Sequence, residues 1–255
     1  MKILPDLFID EQELEERGFT LLPNLVSAAD LAEFERVIGE LCSAEIKKRG
    51  ITRHHADPFI DVMLADEEYR RYLFPLLRRF YILERISSQI GTQLAQNGFL
   101  NRHGHRAPMI WPFFRADLPN ETAYELRFHQ DVISTESAKA WRIWLPLRDV
   151  DRHFGSMELV SGSHKLGWLE HRGQTNTLEV LIDEALIPKE NRVCVELPAG
   201  DAVLFHPRIV HRSVANRSQS AKFILLIQVQ DGAELLGPDK GPPSQDPSIS
   251  WSAKA

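Results

Sequence analysis

The chain has 255 residues, a formal net charge of −6, 43% hydrophobic and 26% charged residues, values of a globular protein long enough for one substantial core. No long basic run is present, which argues against nucleic acid or an anionic membrane surface as the main partner. The acidic start lacks a signal-peptide core, "FILLIQV" is too short to span a bilayer, and Cys42 and Cys194 form no spaced framework, so a cytoplasmic protein with free thiols is expected.

A brief acidic helix should precede a short strand at 19–23, "FTLLP". Ser27 then reads as the N-cap of a long helix, with Leu31, Phe34, Val37, Ile38 and Leu41 as its apolar stripe and Gly50 after its basic end. Residues 51–65 read as loop, and 66–97 as helical, with Pro75 marking a break or a new first turn. Beyond Gly98 the segments become short, β-branched and aromatic. The strands expected are 108–115, 124–132, 141–147, 156–160, 192–197, 202–206 and 222–230. This pattern predicts an α+β fold: one domain over 1–236, with a helical front to about residue 97 packed on a β-sandwich or jelly roll. The Pro-, Ser- and Gly-rich segment 237–255 reads as a mobile tail or a lid that orders on binding.

His129 and Asp131, in "RFHQDVI", stand two residues apart, which puts both on one side of an extended chain. His211 follows in "GDAVLFHPRIVHRS". Two imidazoles and one carboxylate can take one face of an octahedral iron and leave three positions open. A lone HxD is weak evidence, since a core histidine beside a turn-capping aspartate looks the same. Three features shift the balance: the "PAGD" turn before the His211 region, the segment "FGSMELVSGSHKLG" between the halves of the site, and Lys222, eleven residues after His211.

In order and spacing, His129-Gln130-Asp131, Trp144, Gly155 through Gly162-Ser163-His164, Gly200-Asp201, His211, Ser213 and Asn216 resemble the phytanoyl-CoA dioxygenase family of Fe(II)/2-oxoglutarate oxygenases. "ERGFTLLPNLVSAADLAEF" resembles that family's opening strand and helix. The resemblance implies a double-stranded β-helix, or jelly-roll, core and Fe(II), 2-oxoglutarate and O2 as cofactor and cosubstrates. It implies His129, Asp131 and His211 as iron ligands, Trp144 and Ser213 as 2-oxoglutarate contacts, and Gln130 on the cosubstrate side. Lys222 stands where the family usually has arginine for the far carboxylate, keeping the charge and losing the fork. Phe154 replaces a usual polar residue. Asp131 sets the chain apart from halogenating relatives, which have a small residue there. The activity implied is hydroxylation of an aliphatic C–H bond of a small molecule. Desaturation, cyclisation or epimerisation by the same chemistry are alternatives, as is a non-catalytic metal-binding or sensing module. A zinc hydrolase would leave Trp144, Ser213 and Lys222 unexplained.

Arg127, Arg142 and Arg115 are candidates for substrate contact, against ion pairs or outward-facing positions as the plainer readings. His103 and His105 read as loop or pocket rim, His54 and His55 as solvated, His164 as structural, and His206 as a decoy for His211. Trp111 to Phe114 read as core packing or a pocket wall.

Overall fold

The computed structural model describes residues 7–121, 126–131, 135–169 and 182–237. The helical front comprises α1 (Glu11–Arg17), α2 (Ala28–Arg49), α3 (Pro58–Leu64), α4 (Glu67–Leu77), α5 (Tyr81–Gln96) and α6 (Phe99–Arg102), with β1 (Phe19–Leu22) between the first two. The strands that follow are β2 (Pro108–Asp117), β3 (Ala140–Pro146), β4 (Met157–Val160), β5 (Arg192–Val195), β6 (Ala202–Phe205), β7 (His211–Ser213) and β8 (Lys222–Asp231). The caps of α2 are those expected. The Ser27 side chain accepts from the Asp30 amide, the last turn is basic, and Gly50 closes the helix at φ +64.

Two local expectations are corrected. Residues 51–65 are not all loop, because 58–64 form α3, with the Asp57 side chain accepting from the Phe59 amide and Pro58 in the first turn. Phe59, Ile60, Asp61, Val62 and Met63 are all buried, so this helix has no polar face and no amphipathic signature. Pro75 does not break the helical region. It sits in the last turn of α4, and the break falls at Arg78–Phe80.

The strands form two antiparallel sheets, one ordered β1-β6-β3-β8-β2 and the other β5-β4-β7. The long pair β2–β8 runs from Pro108↔Asp231 to Asp117↔Lys222. Alternation along β8 divides its side chains between two cores. Phe223, Leu225, Ile227 and Val229 pack with the helices, while Ile224 joins Trp144, Met157, Leu159, Val195, Val203 and Phe205 between the sheets. Phe223 is the pivot of the helix-facing core, with ring centroids 4.8 Å from Phe59, 5.4 Å from Phe34 and 5.8 Å from Phe114. Arg148 lies over that ring and ties sheet to helices, bonding Glu35 (2.6 Å) and Asp57 (2.6 Å).

The strand expected at 124–132 is absent from its described part, 126–131, where His129 makes only an isolated antiparallel bridge to His211. Residues 124, 125 and 132 of that expected strand, like the tail from residue 238, lie outside the described residues. Cys42 is buried and free, and Cys194 is free and half-buried. Among the described residues no helix is long and apolar enough to cross a membrane.

Candidate metal centre

The isolated bridge builds the site. His129 and His211 exchange backbone hydrogen bonds, each 2.9 Å, and the Asp131 amide donates to the Pro207 carbonyl (3.0 Å). The segment 129–131 is therefore fastened along the stretch that leads into β7. Each histidine is oriented by its own chain: Nδ1 of His129 lies 2.7 Å from the Arg127 carbonyl, and Nδ1 of His211 lies 3.0 Å from the Ile209 carbonyl. A carbonyl can only accept, so Nδ1 carries the proton and the bare Nε2 of each ring is left as a donor atom for a metal. Both Nε2 atoms turn to one carboxylate oxygen, Asp131 Oδ1, at 3.8 Å from His129 and 3.9 Å from His211. The three ligand atoms lie within 4.8 Å of one another. Atoms about 2.1 Å from a common ion stand at most about 4.2 Å apart, a limit that the 3.8 and 3.9 Å nitrogen–oxygen separations meet, and the nitrogen–nitrogen–oxygen donor set suits iron with open positions.

The second carboxylate oxygen is engaged elsewhere. Asp131 Oδ2 accepts from Arg142 Nε at 3.0 Å. Burial pushes the Asp131 carboxyl up, but His211 when protonated, Arg142, and His129 when protonated outweigh it and hold the group below the usual carboxylate range. It is an anion ready to ligate.

The remaining sequence candidates fall into different places. Trp144 lies on β3 among the residues between the sheets, 8% exposed, opposite Leu226 and Val203. Ser213 lies on β7, two residues beyond His211 and therefore on the same side of the strand. Lys222 opens β8, is 2% exposed, and is held by Asp117 Oδ2 (2.7 Å) and the Gly155 carbonyl (2.5 Å). Gly155 adopts φ +91, with the backbone of Asn216 only 2.9 Å from where a Cβ would stand, so that turn needs glycine. Arg115 also bonds Asp117, through Oδ1 at 2.5 Å, and borders a cavity of ≈ 840 Å³ with Phe74, Phe113 and Leu126. Burial raises the Asp117 carboxyl, and the charges of Arg115 and Lys222 more than reverse this, leaving it lowered.

Gln130 corrects an expectation. Its amide donates to the carbonyls of Gly167 (2.9 Å) and Arg208 (2.6 Å) and its oxygen accepts from the Leu169 amide (2.8 Å). Lying between two residues that face the site, it points the other way and pins two loops. The Arg127 carbonyl orients His129, while Glu125, the partner weighed for its side chain, lies outside the described residues. Arg142 does point inward, but onto Asp131.

Four of the other histidines make structural contacts. His103 bonds Glu11 (2.9 Å) and stands against Phe99 and Trp141. His55 pairs with Asp61 (2.7 Å), and His164 Nε2 meets the Glu15 carbonyl (3.2 Å). His206 accepts from the Arg208 amide, and burial, with Arg208 and His164 nearby, pushes its imidazole down to about 3. Trp111 is half-buried, Phe113 exposed, and Phe114 in the core.

Two partners of the sequence candidates were not singled out from sequence. Asp117 neutralises Lys222 through the β2–β8 register, and Thr135 bonds both Arg142 and the Asp131 backbone. The only local hint was Arg115 two residues before Asp117 on an alternating strand.

With this geometry in place, comparison with known proteins gives a consistent picture. The chain is 26% identical over 227 residues to "Phytanoyl-CoA dioxygenase, peroxisomal" of Mus musculus, covering 80% of this chain and 62% of that protein. The chain therefore spans less than two thirds of the length of this curated relative. In fold it is similar to EvdO2 of Micromonospora carbonacea var. aurantiaca, solved in complex with 2-oxoglutarate, at TM-score 0.59 and 16% identity, over 94% of this chain and 98% of that one. It is also similar in fold to SnoK, a non-heme alpha-ketoglutarate-dependent carbocyclase from nogalamycin biosynthesis, at TM-score 0.52 and 23% identity, over 88% and 84% of the two chains. The sequence profile of the phytanoyl-CoA dioxygenase (PhyH) family matches residues 14–224, from the middle of α1 into β8 and across the whole His129–Asp131–His211 cluster, and the chain belongs to that family.

Proposed function

We propose that the protein is an Fe(II)- and 2-oxoglutarate-dependent dioxygenase that hydroxylates an aliphatic C–H bond of a small molecule, on a jelly-roll barrel made by its two sheets. The observation that carries this reading is the convergence of His129 Nε2, His211 Nε2 and Asp131 Oδ1 within 4.8 Å. The donors fit the ion: two neutral imidazoles with fixed tautomers and one ionised carboxylate, leaving three positions open. Iron bound there, with 2-oxoglutarate and O2 as cosubstrates, supplies the oxidising power for C–H cleavage, with succinate and CO2 as coproducts.

The protein's own part is to orient, to neutralise and to keep water out. His129 and His211 are held by main-chain carbonyls, so neither ring need reorganise on binding. Phe205, whose ring centroid is 5.1 Å from that of His211, shares an apolar cluster with Trp144, and this cluster would wall the site against water. Lys222 supplies a buried positive charge for the far carboxylate of 2-oxoglutarate, and Ser213 a hydroxyl. Asp117 already shares that ammonium, so Asp117 and the incoming carboxylate compete for it, while Arg115 keeps the cluster of three net positive.

The test is an anaerobic visible spectrum of the protein with Fe(II), before and after 2-oxoglutarate. A weak new charge-transfer band, lost in His129→Ala, Asp131→Ala and His211→Ala, is the expected result. Unchanged Fe(II) binding in all three variants would remove the site. A second reading, ring closure or epimerisation after the same hydrogen abstraction, gains weight from the carbocyclase SnoK among the structural neighbours. Product analysis separates these outcomes, because hydroxylation adds one oxygen atom from O2, cyclisation removes two hydrogens, and epimerisation leaves the composition unchanged while inverting a stereocentre.

A further inference from the structure

We infer that Arg142 is a positioning residue that confines Asp131 to one-oxygen coordination, with Thr135 as its brace. This rests on the reading of His129, Asp131 and His211 as the iron site and concerns how that site stays open. Arg142 has 0% exposure and heads the fully buried side chains by size. A buried guanidinium is costly unless its charge is met and its N–H groups are bonded.

Here the fork reaches Asp131 both directly and through Thr135. Nε donates to Asp131 Oδ2 at 3.0 Å, Nη2 donates to Thr135 Oγ1 at 3.0 Å, and Nη1 donates to the Trp141 carbonyl at 3.3 Å. Thr135 Oγ1 in turn donates to the main-chain carbonyl of Asp131 at 2.5 Å. The carboxylate and the backbone of one residue are thus fastened to the same guanidinium, one directly and one through a hydroxyl. Arg142 itself is fixed in the middle of a sheet, in register with Phe205 on β6 and Gln228 on β8.

The consequence lies in which oxygen is left. A carboxylate can offer a metal one oxygen or both. If Asp131 chelated through both, it would occupy a position that a bidentate keto acid or O2 requires. With Oδ2 committed to Arg142, Oδ1 alone faces the two imidazoles, 3.8 and 3.9 Å from their Nε2 atoms. A lysine in this place keeps the charge but cannot bond carboxylate and hydroxyl with one planar group.

The test uses the full chain with Arg142→Lys, Arg142→Met and Thr135→Val. Fe(II) affinity is measured anaerobically by competition with a chromophoric chelator. The visible spectrum of the Co(II) form, before and after 2-oxoglutarate, reports whether positions stay open to the keto acid, and thermal unfolding confirms the fold. Loss of such an outer contact commonly lowers metal affinity by about 10–100-fold. We expect a loss of that size in Arg142→Lys, a smaller loss in Thr135→Val, and in both a smaller change of the Co(II) spectrum on adding 2-oxoglutarate than in wild type. Folded Arg142 variants with wild-type affinity and spectrum would overturn the inference. If neither Arg142 variant folds, Thr135→Val decides, and wild-type behaviour in it overturns the inference as well. Wild type and Asp131→Ala separate this from the parent reading. Wild type that binds no Fe(II) defeats the iron site itself. Binding that Asp131→Ala abolishes and Arg142→Lys leaves untouched defeats only the role of Arg142.

Discussion

Lys222→Met asks two questions of one buried charge. The ammonium is 2% exposed and bonds Asp117 Oδ2 at 2.7 Å, while Asp117 is itself 9% exposed. Removing one member of such a pair typically costs ~3–5 kcal/mol, because the other charge stays buried without it. Arg115 still holds Asp117 Oδ1 at 2.5 Å, which places the expectation at the lower end, ~3 kcal/mol. For a domain of this size that lowers Tm by roughly 6–12 °C. The double variant Asp117→Asn/Lys222→Met no longer buries an orphaned carboxylate, so it should be more stable than Lys222→Met alone. The acid limb gives an independent check. Arg115 and Lys222 overcome burial to hold the Asp117 carboxyl low. A group with a lowered folded-state pKa stabilises above the ordinary carboxylate range and loses that contribution as pH falls through its lowered value. With Lys222 gone the lowering shrinks, and the loss on acidification becomes shallower. Urea denaturation across pH 3–7 measures both effects, and anaerobic 2-oxoglutarate titration measures the cosubstrate. Equal stability of the single and double variants would refute the ion-pair reasoning. Wild-type 2-oxoglutarate binding by the folded double variant would refute the anchoring role.

Phe223→Ala should cost about 3–5 kcal/mol in denaturant unfolding, since the ring is fully buried against Phe34, Phe59 and Phe114. A loss below ~1 kcal/mol would mean that the helical front is not anchored on β8 through this residue. His206→Asn should flatten the fall in stability on acidification. Burial, with Arg208 and His164 nearby, puts the His206 pKa at about 3, so between the ordinary histidine value and 3 the unfolded chain binds a proton that the folded chain does not. Stability therefore falls as pH drops through that window, by up to ~1.4 kcal/mol per pH unit, and asparagine removes that share. An unchanged pH slope in the variant would show that His206 titrates normally.

Several features of this protein are written in short stretches of its sequence. Ser27 and Gly50 bound α2 through bonds within a few residues of each cap, and the apolar stripe between them is local. The two-residue spacing of His129 and Asp131 puts them on one side of any extended segment, whether or not that segment becomes a strand, and it did not. What depended on distant partners was hidden. Five successive residues of α3, Phe59 to Met63, are buried, so no periodicity marks it. Lys222 meets Asp117 only because β2 and β8 pair in one register across more than a hundred residues of chain. Arg142 could be read as pointing inward, but its target was set by where the bridge to His211 carries Asp131. Periodicity and caps are properties of a segment, whereas the partner of a buried charge is a property of the assembled sheets, and only the tertiary structure supplies it.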